Sequence, residues 1–195
     1  MNQSAIIFDF DGTLTKPYLN FDAIRDEIGV EGPILEAMAA MNPTDRQRAE
    51  AILLRHEREA ADNATLQEGA VKVVAACRAI GHPVAILTRN ARAMVNLVLE
   101  RHRITVDAMR TREDGAIKPS PEPVLSLCRQ LQSDPRHSWM VGDYLFDVIS
   151  GKQAGAKTVL MIGDKPLPDY APQADHVIRK LDELLPLIRV ETPAG

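Results

Sequence analysis

Asp9 and Asp11 are two carboxylates, one residue apart, that follow directly on the apolar run Ala5-Ile6-Ile7-Phe8. A run of that length reads as a buried parallel strand, and open α/β sheets take their ligands beyond the carboxyl ends of their strands. Both acids are therefore aimed at one pocket. Three further segments add to it. Thr88-Arg89-Asn90, behind the run Pro83-Val84-Ala85-Ile86-Leu87, brings a hydroxyl and backbone amides that can hold an oxyanion. Lys118-Pro119 supplies a compact positive charge and a proline that restricts the turn before the next helix. Gly142-Asp143-Tyr144-Leu145-Phe146-Asp147, behind Trp139-Met140-Val141, adds two carboxylates spaced to share one helix face. The sum is an acidic, cation-binding pocket with one lysine and one hydroxyl.

The elements that must position these residues alternate. Helical periodicity from Leu66 to Ile80 is followed by a strand over 83–87, a helix over 91–102, a strand over 105–109, and a helix over 121–132. A strand over 138–141, a helix over 145–154, a strand over 157–162, a short strand near Asp175–Ile178 and a closing helix over 181–188 complete the series. This pattern predicts a parallel sheet with helices on both faces. Pro186 falls inside the closing helix and is expected to bend it. The first strand has no partner until Pro83, so the long crossover must hold structure of its own. Helices are expected there over 21–28, 33–41 and 44–62, with Pro43-Thr44 as a start signal.

A chain of 195 residues, 45% hydrophobic and 26% charged, can bury a core and suits one main domain with a modest insertion. The formal net charge of -4, with no basic run, excludes a nucleic-acid footprint. Cys77 and Cys128 lack metal-binding spacing and read as reduced core residues. The amino terminus enters the first strand at once, and no stretch of about 18 apolar residues occurs. The expectation is a soluble, cytoplasmic protein without a membrane partner, monomeric or homodimeric.

In type and order the four segments resemble those of the haloacid dehalogenase (HAD) superfamily of hydrolases, in its phosphoglycolate-phosphatase-like branch, and the resemblance spans nearly the whole chain. It implies a HAD-like Rossmannoid parallel sheet flanked by helices, with a small helical cap after the first strand. The core would comprise 1–14 and 64–195, and the cap 15–63. It implies a Mg2+-dependent phosphatase acting on a small phosphorylated metabolite. Asp9 would be the nucleophile that forms an aspartyl-phosphate, and Asp11 the general acid and then base. Thr88, the nearby amides and Lys118 would hold the phosphoryl group, with Arg89 either reaching the substrate or capping a helix. Mg2+ would lie on Asp9, the backbone carbonyl of Asp11 and Asp143. Asp147 would act through water or by fixing Lys118; it also reads as an acid complementing the positive end of its helix.

The cap helix over 44–62 carries Arg46, Arg48, Arg55, His56 and Arg58 among Glu50, Glu57 and Glu59. These read as a solvated face laced with i,i+4 pairs, or as a face from which one or two arginines turn to the substrate. Within the family, Asp11 disfavours a dehalogenase, and the absence of lysine between Pro17 and Val71 disfavours a Schiff-base phosphonatase. A sugar-phosphate mutase keeps both acids and is the alternative enzyme. A phosphoacceptor receiver domain, from another class, is disfavoured by the insertion and by Asp11.

Overall fold

In the computed structural model, which describes residues 4–190, the first apolar run divides between two cores. Ile6 and Phe8 pack on one side of the sheet with Val73 and Val95, while Ala5 and Ile7 pack on the other with Val124 and Leu127. Alternation along a strand sends neighbours to opposite faces, so a strand apolar throughout needs a helical layer on each.

The sheet is built from β1 (Ile6–Phe8), β2 (Val84–Leu87), β3 (Ala108–Arg110), β4 (Trp139–Gly142), β5 (Lys157–Met161) and β6 (His176–Ile178). All pairs are parallel and the order is β3-β2-β1-β4-β5-β6. Ile6 sits opposite Val84 on one side and Trp139 on the other. From β1 the chain builds outward through β2 and β3, then crosses back to β4. That reversal opens a crevice at the carboxyl ends of β1 and β4, the usual ligand position in such sheets.

The insertion after β1 contains α1 (Phe21–Ile28), α2 (Ile34–Ala39) and α3 (Pro43–Asp62). Asn20 and Asn42 cap α1 and α3 by accepting the N–H groups of Ala23 and Asp45, and Pro43 occupies the first turn, where it loses no hydrogen bond. The three helices share an apolar cluster of Ile24, Ile34, Met38, Ala49 and Leu53. The chain entering and leaving them is paired: Lys16 N–H donates to Thr65 O at 2.8 Å, and Gln67 N–H to Leu14 O at 2.9 Å.

The remaining helices are α4 (Ala70–Ala79), α5 (Arg92–His102), α6 (Glu122–Gln130), α7 (Leu145–Ala154) and α8 (Leu184–Val190). Three elements depart from the periodicity reading. α4 starts at Ala70 rather than Leu66, because 65–67 is used in the pairing just described and Gly69 is left-handed at φ 81°. β3 starts three residues late, since pairing begins only where Asp107 N–H meets Val84 O at 2.7 Å. Pro186 lies in the first turn of α8, where its missing N–H would be unpaired anyway, so it has no interior hydrogen bond to break. Among the described residues no helix is long and apolar enough to cross a membrane.

Candidate active site

The carboxyl end of β1 is tied to β4 by Asp9 N–H, which donates to Val141 O at 2.8 Å. The chain then turns tightly, with the N–H groups of Leu14 and Thr15 both directed at Phe10 O. Gly12 holds this turn at φ +85°, and a Cβ there would stand 2.3 Å from Asp143 Oδ2. Only glycine lets the turn and the Asp143 carboxylate occupy adjacent space. Gly142 has a similar constraint, for its Cβ would lie 2.1 Å from Asp147 Cγ.

Lys118, just before α6 on a cis Lys118–Pro119 peptide, reaches into this cluster with 3% of its side chain exposed. Its Nζ donates to Asp9 Oδ1 at 2.5 Å and to Asp147 Oδ1 at 2.6 Å. Asp147 Oδ2 accepts Tyr144 N–H at 3.0 Å, so this residue caps α7 and fixes the lysine together. Burial works against the Lys118 charge, but Asp147 and Asp9 outweigh it and hold its pKa above the ordinary lysine range. Burial also pushes Asp147 up, against the pull of Lys118. Because both Asp147 oxygens act as acceptors, the geometry decides for a charged lysine between carboxylates.

Asp9, Asp143 and Asp147 each place an oxygen within 4.8 Å of the others. Burial, and then the charge of Asp9, raise the pKa of Asp143, while Lys165 Nζ donates to its Oδ2 at 3.0 Å and opposes that rise. An oxygen-only donor set suits a hard divalent cation such as Mg2+. Both oxygens of Asp147 are already engaged, whereas Lys118 takes one of Asp9 and Lys165 one of Asp143.

Asp11 stands apart from that cluster. Its Oδ2 accepts Asn90 Nδ2 at 2.9 Å. Burial, with the charges of Asp9 and Glu57 adding to it and the Asn90 hydrogen bond opposing, pushes its pKa up to about 7. Thr88, buried beyond β2, accepts Asn90 N–H on its hydroxyl at 3.0 Å. Thr13 is buried and its hydroxyl lacks a hydrogen-bond partner among the described residues. Arg89 turns to the insertion: it pairs with Glu36 through two hydrogen bonds at 2.6 and 2.8 Å, donates to Lys118 O, and lies 5.0 Å from the Phe146 ring centroid.

The charged face of α3 is largely self-paired. Arg46 meets Glu50, Arg58 meets Asp62, and Arg55 and His56 both meet Glu27 of α1. The buried charged residue of α3 is Glu57, 3% exposed and paired with Arg112. It continues the buried stripe Ala49, Leu53 at i+4 spacing, a signal available in the sequence but masked by its charged neighbours. Asn90, Lys165 and the Glu57–Arg112 pair had no role assigned from sequence, since each acts through a residue distant along the chain.

A parallel sheet of this strand order, with four carboxylates and a buried lysine at the ends of β1 and β4, defines a doubly wound α/β protein with an acidic site at its reversal point. Residues 3–155 match the haloacid dehalogenase-like hydrolase family, and the chain belongs to it. An uncharacterized hydrolase of Saccharomyces cerevisiae is 30% identical over 95% of this chain and 90% of its own length. The pyrophosphatase PpaX of Bacillus anthracis is 26% identical over 96% and 97% respectively. A hydrolase from Pseudomonas syringae superposes with a TM-score of 0.83 at 16% identity, covering 97% of this chain and 99% of that one, which establishes the shared fold.

Proposed function

We propose that the protein is a Mg2+-dependent phosphatase that hydrolyses a small phosphorylated metabolite through an aspartyl-phosphate. The observation that carries this reading is the division of the acids. Asp9 is held by buried Lys118, while Asp11 is held separately by Asn90 with a pKa near neutrality, about 7. One carboxylate is placed for attack and the other to move a proton, which is how two acids of one site take different tasks.

Asp9 attacks phosphorus; its O–P bond forms as the bond to the leaving oxygen breaks, and that oxygen takes the Asp11 proton. Water then attacks phosphorus and gives its proton to Asp11, and the bond to Asp9 breaks to release phosphate. Thr88 would donate its hydroxyl to a phosphoryl oxygen and Lys118 would neutralise charge on the transferring group. Mg2+, when bound to Asp9 and Asp143, with the Asp11 carbonyl as the family resemblance implies, would supply further charge neutralisation. Asp147, committed through both oxygens, fits the positioning of Lys118 better than direct ligation. Arg89, paired with Glu36, fits a tie between the core and the inserted helices better than a phosphate ligand.

The segment 15–63 would then be the cap over the site, and the protein would act in the cytoplasm, as a monomer or homodimer, without nucleic acid. The test is phosphate release from a panel of phosphorylated metabolites, inorganic pyrophosphate and an aryl phosphate, with Mg2+ or chelator, beside Asp9→Asn. Release that needs Mg2+ and vanishes in the variant is expected. Turnover retained by Asp9→Asn would overturn the nucleophile assignment.

A further inference from the structure

The Glu57–Arg112 pair is the buried ion pair of the described residues that lies outside the Asp9 cluster yet is linked to it. Arg112 Nη1 donates to Glu57 Oε1 and lies 3.4 Å from Arg89 O, while Arg112 N–H reaches Asn90 O at 3.4 Å. Ala91 N–H donates to Asn90 Oδ1 at 2.7 Å, and the same N–H favours the charged form of the Glu57 carboxylate. Fixing that amide oxygen leaves Asn90 Nδ2 pointed at Asp11, 2.9 Å away. The other Glu57 oxygen is buried without a partner among the described residues. A buried ion pair that leaves an oxygen unsatisfied is a poor stabiliser compared with apolar packing, so stability alone does not account for it.

We infer that Glu57, with Arg112, is a positioning residue: an inserted helix sets the 88–91 loop, and through Asn90 it sets the orientation of Asp11. This rests on the phosphatase reading, in which Asp11 protonates the leaving oxygen. The consequence is a dependence on the leaving group. The alkoxide leaving group of an alkyl phosphate needs that proton, whereas the 4-nitrophenolate leaving group of 4-nitrophenyl phosphate departs as a stable anion and needs it far less.

The experiment compares kcat/KM, which reports events up to phosphoryl transfer, for ethyl phosphate and 4-nitrophenyl phosphate. Glu57→Gln, which preserves volume, Arg112→Gln, Asn90→Ala and the Glu57→Gln/Asn90→Ala double variant are measured after thermal unfolding confirms that each folds. Each single variant should lose about 10-fold or more on the alkyl ester beyond its loss on the aryl ester, because general acid catalysis contributes about 100-fold or more. The double variant should be little worse than Asn90→Ala, as expected for residues on one path. Equal losses on both esters, or additive losses in the double variant, would overturn the positioning role. Wild-type protein that released phosphate from neither ester would overturn the phosphatase reading and this inference with it.

Discussion

Lys118 is both held by two carboxylates and the reason they can lie side by side. Its removal leaves buried like charges facing each other, and breaking a buried pair costs about 3–5 kcal/mol. Lys118→Ala should therefore lower the unfolding midpoint by roughly 10 °C, at about 2–4 °C per kcal/mol for a chain of this size, as thermal unfolding would show. It should also reduce turnover by about 100-fold or more. Gly12→Ala forces an L residue into a left-handed turn, costing about 1–2 kcal/mol, and drives a methyl into the Asp143 carboxylate. The Mg2+ concentration giving half-maximal activity should rise in that variant; an unchanged value would count against Asp143 as a ligand. The acids and the hydroxyl were legible because they follow strand ends, and the lysine because it precedes a proline in the turn before a helix. Asn90, Glu57 and Arg112 were not, because their roles arise from partners in other segments: a glutamate on a charged helix shows its direction only once the helix is docked.

At the scale of elements, both edge strands are pinned by the same device. Asp107, just before β3, accepts Val84 N–H at 2.8 Å and pairs with Arg78. Asp175, just before β6, accepts Thr158 N–H at 2.8 Å and pairs with Lys152. Hydrogen bonding from Arg78 lowers the Asp107 pKa. At Asp175 burial pushes upward, but Lys152 and the Thr158 donors outweigh it and the net shift is also downward. A depressed folded pKa gives stability that is present above the ordinary carboxylate value of 3.8 and is lost as pH falls through the folded value. Asp107→Asn and Asp175→Asn should each cost on the order of 1–2 kcal/mol at pH 7 and much less near pH 2. Denaturant titrations at the two pH values check this; equal losses would place the effect elsewhere. Strand existence was readable from apolar runs, while the late start of β3 was not, because this side-chain acceptor at Asp107 sets where pairing begins.

For the whole molecule, a cation bound only by the folded chain must stabilise it. At 100 times its dissociation constant the gain is about 2.7 kcal/mol, or roughly 5–10 °C in the midpoint. Mg2+ should raise the unfolding temperature by that order, chelator should reverse it, and Asp143→Asn should abolish the difference. A wild-type midpoint indifferent to Mg2+ would argue against the site. The parallel sheet and the helical insertion were both legible, the insertion because a first strand without a nearby partner demands a long detour, whereas the order of the strands was not. How the detour is closed was not, because Leu14, Lys16, Thr65 and Gln67 carry no apolar pattern and meet through their backbones. That closure has an evolutionary meaning. Two hydrogen bonds bring departure and return to neighbouring points, so to the sheet the inserted helices are a loop of almost no span. Their length adds little to the entropy of closing the core. The length of the helices between Lys16 and Thr65 could thus vary in descent, as long as the contact of Glu57 with Arg112 was kept, while the register of the strands and the placement of Asp9 stayed fixed.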